Sequence, residues 1–188
     1  MTHFSNIEFF NRYFGACGRF AVFEDAGQPL ESFKKSSWTV RARLSLQILK
    51  LAQKMSEHLV LSLYLTDWSI DNFAVSKHLE VKLIDLEDIV IVNKTLIEAV
   101  KAPGWDIEHH SVAFGCEHKC FSYSVSDLCS HRTSDHNYFG ACFVIAKLLS
   151  NDAPDPMTKR LVQECTWPSN PGGRIEAALQ LINQLEQV

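Results

Sequence analysis

A chain of 188 residues, 46% hydrophobic and 21% charged, holds enough apolar material for one folded domain and is not disordered by composition. Its formal net charge of -4 excludes the basic excess of a general nucleic-acid binder. The longest mid-chain apolar run, Leu59 to Leu65, is broken by Ser62 and falls far short of the ~20 residues of a membrane span.

Residues Met1 to Asn6 lack a basic start followed by an apolar core, so no signal peptide is expected in these 188 residues. That leaves a cytosolic protein or a chain with a further upstream part. Tyr13 to Val22 reads as two short strands around Gly15 and Gly18, and Asp25 to Pro29 as a turn. Val40, Leu44, Ile48, Leu51 and Met55 recur at helical spacing behind Ser37. Leu59 to Leu65 is strand-like. Phe73 to Val75 and Val81 to Ile84 form a hairpin around Ser76-Lys77-His78, and Asp88 to Val92 is a further strand. Asn93 to Arg132 reads as irregular. Asp135 to Leu149 is apolar almost all round, the mark of a helix inside a core. A helix near Met157 to Glu164 follows. Beyond Pro171-Gly172-Gly173, a last helix carries Ile175, Ala178, Leu179, Ile182 and Leu185 on one face. A few strands followed mostly by helices define an α+β domain.

The chemistry concentrates in two segments, Leu65 to Val75 and Lys82 to Asp88. Asp67 and Asn72 are five apart in a loop after a strand, and Asp85 ends a strand thirteen residues beyond Asn72. Protein kinases use such a set: a catalytic-loop Asp, an Asn five residues on, and a metal-binding Asp after a hairpin. Phosphoryl transfer needs a carboxylate to orient the attacking hydroxyl and hard oxygen ligands for Mg²⁺. Strand alternation puts Val81, Leu83 and Asp85 on one face and Lys82 on the other. The bland alternative is a set of surface turn residues. The bare triplet arises by chance in roughly two such chains in a hundred, so the strand and hairpin context decides between them. Asp135, with Gly140 five residues on, opens the apolar helix as kinase folds open their buried central helix with an Asp that holds the catalytic-loop backbone. An ordinary helix N-cap is the bland reading of Asp135.

Tyr13 to Arg19, Asp67 to Val75, Leu128-Cys129 and Asp135 to Tyr138 together resemble the divergent protein kinase domain family, deleted-in-autism branch. The resemblance runs from about Tyr13 to Leu185. It implies a protein-kinase-like fold, mostly the helical large lobe at 28–188, with 1–27 as the remnant of the small lobe and hinge. It also implies passage through the Golgi and secretory route, ATP and Mg²⁺ as cofactors, and a protein substrate or receptor in extracellular signalling. Asp67 is then the base, and Asn72 and Asp85 hold Mg²⁺. Glu24 to Ala26 is the hinge, whose backbone would meet adenine. No G-x-G-x-x-G occurs in the sequence, and the strand Lys with its helix Glu partner is missing from it. Leu65-Thr66 stand in place of His-Arg, Ser69 stands where many kinases place a Lys, and Asp85-Leu86-Glu87 replaces Asp-Phe-Gly. Glu87 and Asp88 read as solvated strand-edge residues rather than a second cation site.

Cys116-Glu117-His118-Lys119-Cys120 has only three close soft ligands and lacks a C-x₂-C partner for zinc. The oxidising compartment implied by the resemblance favours disulfides instead, with at least one expected among Cys116, Cys120, Cys129, Cys142 and Cys165. Asn93-Lys94-Thr95 is a glycosylation sequon, and His109-His110 reads as a polar loop pair. Two functions are open: a protein kinase, or a pseudokinase or secreted binding module on an inherited scaffold. The 188 residues alone are expected to bind nucleotide weakly and to transfer no phosphate.

Overall fold

The computed structural model describes residues 9–57, 61–86, 88–113, 121–149 and 153–188. Strands β1 (Tyr13–Cys17) and β2 (Phe20–Phe23) pair as an antiparallel hairpin whose residues are mostly exposed. After Asp25 the chain turns at Gly27, which has φ +92° and lies so close to Val75 that an added Cβ would meet its carbonyl oxygen at 2.1 Å. Only glycine accepts both the positive φ and that approach. β3 (Gln28–Pro29), β5 (Phe73–Val75) and β6 (Val81–Leu83) then form one antiparallel sheet in the order β3-β5-β6. β4 (Leu61–Leu65) pairs with β7 (Ile89–Asn93) in a second sheet, and β8 (Val112–Ala113) with β9 (Phe121–Ser122) in a third.

The helices are α1 (Trp38–Glu57), α2 (Lys94–Val100), α3 (Val125–Ser130), α4 (His136–Leu149), α5 (Pro156–Thr166) and α6 (Gly173–Leu185). Helix α4 is the centre, buried on nearly every side as its all-round apolar sequence requires. α1 packs along it, burying Leu44, Ile48, Leu51 and Met55 together with Leu49 and Ala52. Arg41 of α1 is itself buried: its Nη1 donates to the Leu148 carbonyl at 2.7 Å, so a cation satisfies an open carbonyl in the last turn of α4. α5 and α6 close the other side of α4, and Cys142 of α4 is bridged to Cys165 of α5 with a Cα separation of 5.5 Å. The fold is mixed α and β, as the sequence pattern predicts.

One stretch differs. The region from Asn93 to Arg132, expected to be irregular, contains α2, α3 and the short β8 and β9. These elements are two to seven residues long, too short for hydrophobic periodicity to register. α2 is announced instead by its N-cap, where the Asn93 side chain accepts the Leu96 N–H at 3.1 Å.

Candidate functional site

The loop from Thr66 to Asn72 is held at both ends. Thr66 sends its N–H and its hydroxyl to the Asp88 carbonyl, each at 2.9 Å. At the far end Asn72 Nδ2 donates to the Asp67 carbonyl at 3.1 Å and to Asp67 Oδ2 at 3.0 Å. An amide nitrogen carries two hydrogens, so these bonds use its donors and leave Oδ1 as an acceptor free to face a cation. The Asn72 carbonyl accepts the Ile84 N–H at 2.9 Å. The β5–β6 hairpin therefore returns the chain beside Asn72 one residue before Asp85, which is half-buried just beyond the end of β6. Asp67 itself is exposed. Val81 and Leu83 are buried and Lys82 half-buried, as strand alternation predicts; Lys82 Nζ lies 3.9 Å from Glu80. Glu87 lies outside the described residues.

Between its ends the loop docks on α4. Trp68 turns inward to 7% exposure, lying so close to Gly140 that a Cβ there would sit 1.9 Å from Trp68 Cγ. The residue before the loop is fixed by two side chains of the first turn of α4. Asn137 Oδ1 accepts the Leu65 N–H at 3.1 Å, and its Nδ2 donates to the Leu63 carbonyl at 2.8 Å and to Ser56 Oγ at 2.9 Å. His136 Nε2 lies 3.0 Å from the Leu65 carbonyl. A carbonyl can only accept, so Nε2 carries the hydrogen and Nδ1 faces the Ser111 hydroxyl at 3.1 Å as acceptor. Burial pushes the imidazole down to about 4, partly countered by its bond to Leu65.

Asp135 does not take the loop contact expected of it. It is 1% exposed, but Oδ1 accepts the Ser111 N–H at 2.6 Å and Oδ2 pairs with Arg174 Nη1. The reason is rotational. Asp135 stands just before α4, and each further helical residue turns about 100°. His136 and Asn137 therefore face β4, while Asp135 faces Ser111 and α6. Arg174 also donates to the Ser111 carbonyl at 3.1 Å and to the Cys165 carbonyl at 3.0 Å, and lies 4.6 Å above the Phe139 ring. A signal for these residues existed: polar side chains opening the most apolar helix of a chain must be hydrogen-bonded inside. The partners of His136 and Asn137 in β4 and α1, 71 to 81 residues earlier in the sequence, carried none.

The remaining candidates spread over the surface. Glu24 is exposed, its N–H bonded to the Arg12 carbonyl at 2.8 Å, and Ala26 is half-buried beside the Gly27 contact with β5. Asn93 and Thr95 are exposed. The expected disulfide is Cys142–Cys165, which joins α4 to α5. Cys17 and Cys129 are exposed free thiols, and Cys116 and Cys120 lie outside the described residues. His109 and His110 do not act as a pair: the first sits by His131, the second by Glu108.

A buried central helix, a loop carrying Asp67 and Asn72, and a hairpin delivering Asp85 define a kinase-like domain. Residues 1–168 match the family described as the protein-kinase domain of FAM69, and the chain belongs to that family. It is 32% identical over 197 residues to "Divergent protein kinase domain 2A" of Mus musculus and of Homo sapiens, in each case across 95% of this chain and 46% of the relative. The Xenopus tropicalis protein of the same description matches to the same extent. The chain thus spans just under half the length of these relatives.

Proposed function

We propose that this chain contributes the larger lobe of an ATP- and Mg²⁺-dependent phosphotransfer site acting on protein hydroxyls along the secretory route. The observation that carries the reading is the pair of hydrogen bonds that Asn72 Nδ2 donates to the Asp67 carbonyl and to Asp67 Oδ2. It turns the amide oxygen away from the carboxylate and makes one unit of the base and a metal ligand. Asp67 orients the attacking hydroxyl, while Asn72 Oδ1 and Asp85 hold Mg²⁺ against the phosphates, where the ion neutralises charge. A buried disulfide between α4 and α5 fits an oxidising compartment.

The site within these residues is acidic: Asp67, Asp71, Asp85 and Asp88 stand close in sequence and Ser69 is neutral. A triphosphate meets repulsion there that one Mg²⁺ offsets in part, so the chain alone binds nucleotide weakly and transfers no phosphate. The same acidity favours a second reading, a scaffold that acts through a receptor or other protein contact without catalysis. Calorimetry with ATP and Mg²⁺, on this chain and on a form extended to the length of its relatives, separates the two. Binding that is weak in the short form, tight in the long form, and lost in Asp85→Ala and Asn72→Ala supports the enzyme. Absence of Mg²⁺-dependent binding in the long form leaves the scaffold. Robust Asp67-dependent transfer by the 188 residues alone would refute the inactivity of the isolated chain.

A further inference from the structure

Strand β7 reads Ile89-Val90-Ile91-Val92-Asn93, rich in β-branched residues and without a charge. Among the described residues it pairs with β4 alone, and no strand covers its other edge. Residues two apart on a strand share a face. Val92 is buried in a small cluster with Tyr64, Ile97 and Leu128, whereas Ile91 and Asn93 look outward. Helix α2 follows directly, and its Leu96 and Val100, four residues apart, share one side of it. Ile91 is 55% exposed, Leu96 60% and Val100 65%. Apolar surface beside an uncharged, open strand edge favours self-association.

Asn93 stands where the two elements join. Of the asparagines in the sequence it alone is followed two residues on by Ser or Thr, in Asn93-Lys94-Thr95. Such triplets arise often by chance, so the structure must decide whether this one can carry a sugar. Asn93 Oδ1 accepts the Leu96 N–H at 3.1 Å and so caps α2. Nδ2, the atom that takes an N-linked sugar, carries two hydrogens and has no hydrogen-bond partner among the described residues. Replacing one of those hydrogens leaves Oδ1 capping the helix. Lys94 points the other way, its Nζ donating to the Ser56 carbonyl, and Asn93 and Thr95 are left facing solvent. The position also suits the candidate site. Asn93 pairs with Leu61 at one end of the β4–β7 ladder, and Ile89 pairs with Leu65 at the end beside the Asp67 loop. Four strand steps of about 3.3 Å set the two ends roughly 13 Å apart.

We propose that Asn93 is the acceptor of an N-linked oligosaccharide, which screens Ile91, Leu96, Val100 and the open edge of β7. The donor is a polyprenyl-pyrophosphate oligosaccharide. Nδ2 bonds to the anomeric carbon of its first N-acetylglucosamine, and the bond from that carbon to the pyrophosphate oxygen breaks. The pyrophosphate leaves with the electron pair, and the amide gives up one proton. A bulky, hydrated group at the end of β7 then hinders a second strand from pairing there, the service that charges and prolines perform on other edge strands. The inference rests on the secretory route in the proposed function, where this donor is found, and is independent of phosphotransfer.

The test expresses the whole protein in animal cells, with and without an added secretory leader, and follows the peptide around position 93 by mass before and after peptide N-glycosidase. With the leader, the enzyme should remove one oligosaccharide and leave an aspartate at that position. Thr95→Ala, which keeps the Asn93 cap, should abolish the modification, and Thr95→Ser should retain it. On size-exclusion chromatography Thr95→Ala should show at least twice the aggregated fraction of the parent; parent protein stripped of sugar while folded gives the same comparison should the variant fail to fold. An unmodified position 93 in leader-bearing protein recovered from the medium would overturn the acceptor site, as would a sugar at that position surviving Thr95→Ala. Equal aggregation with and without the sugar would overturn its screening role. Modification with the added leader but not without it would support the acceptor site and refute the secretory route.

Discussion

Gly140→Ala is the sharpest perturbation the structure offers, because one methyl group separates two opposed effects. In the interior of a helix the change should stabilise by about 1 kcal/mol through propensity. Here the added Cβ would lie 1.9, 2.1 and 2.4 Å from Trp68 Cγ, Cδ1 and Cβ, so the indole must leave. A tryptophan buries about 150–250 Å², worth roughly 4–6 kcal/mol at about 25 cal/mol per Å² as an upper bound. Core Trp deletions cost about 3–5 kcal/mol, so a net loss of about 2–4 kcal/mol is expected. No compensating hydrogen bond enters, because Trp68 Nε1 has no partner among the described residues. Packing alone holds the ring, and Trp68→Phe should cost less than Trp68→Ala. Urea unfolding followed by circular dichroism measures the change. A double-mutant cycle isolates its cause: in a Trp68→Gly background, which removes the Trp68 Cβ as well as the ring, Gly140→Ala should become neutral or stabilising. A Gly140→Ala protein as stable as the parent, or more so, would refute the docking of the candidate catalytic loop on α4. Since Trp68 follows Asp67 directly, the same variant should also weaken any Mg²⁺-dependent nucleotide binding by the extended form.

Asn137→Ala removes the partners of the Leu65 N–H, the Leu63 carbonyl and Ser56 Oγ, and should cost about 1–3 kcal/mol per group left unpaired, read by the same unfolding curves. His136 gives a pH dependence whose sign is fixed. Its folded pKa of about 4 is below its unfolded value of 6.5, so protons favour the unfolded chain and stability falls as pH drops from about 6.5 to 4. The slope approaches 1.4 kcal/mol per pH unit, about 3 kcal/mol in all, and should be absent from the pH series of His136→Gln. Asp135→Ala strands the buried Arg174 guanidinium and should cost about 3–5 kcal/mol, with much of the loss recovered in Asp135→Ala/Arg174→Met. Reduction of Cys142–Cys165, which closes a separation of 23 residues, should lower stability by about 3 kcal/mol, measured as the difference between melts with and without reductant.

Local and periodic features could be read from the order of residues alone. Helical spacing marked α1 and α6, all-round apolarity marked α4 as central, and alternation marked the β5–β6 hairpin with Val81 and Leu83 inward. The spacing of Asp67, Asn72 and Asp85 was legible because the loop and hairpin that carry them are contiguous, so chain distance stands in for distance in space. The tertiary structure decided whatever depends on packing between remote elements. His136 and Asn137, not Asp135, hold Leu65, because helix rotation relative to β4 chooses which polar residue faces the loop. Cys142 pairs with Cys165 because α5 packs on α4, which five cysteines in a string do not reveal. The need for glycine at position 140 comes from an indole 72 residues earlier in the chain.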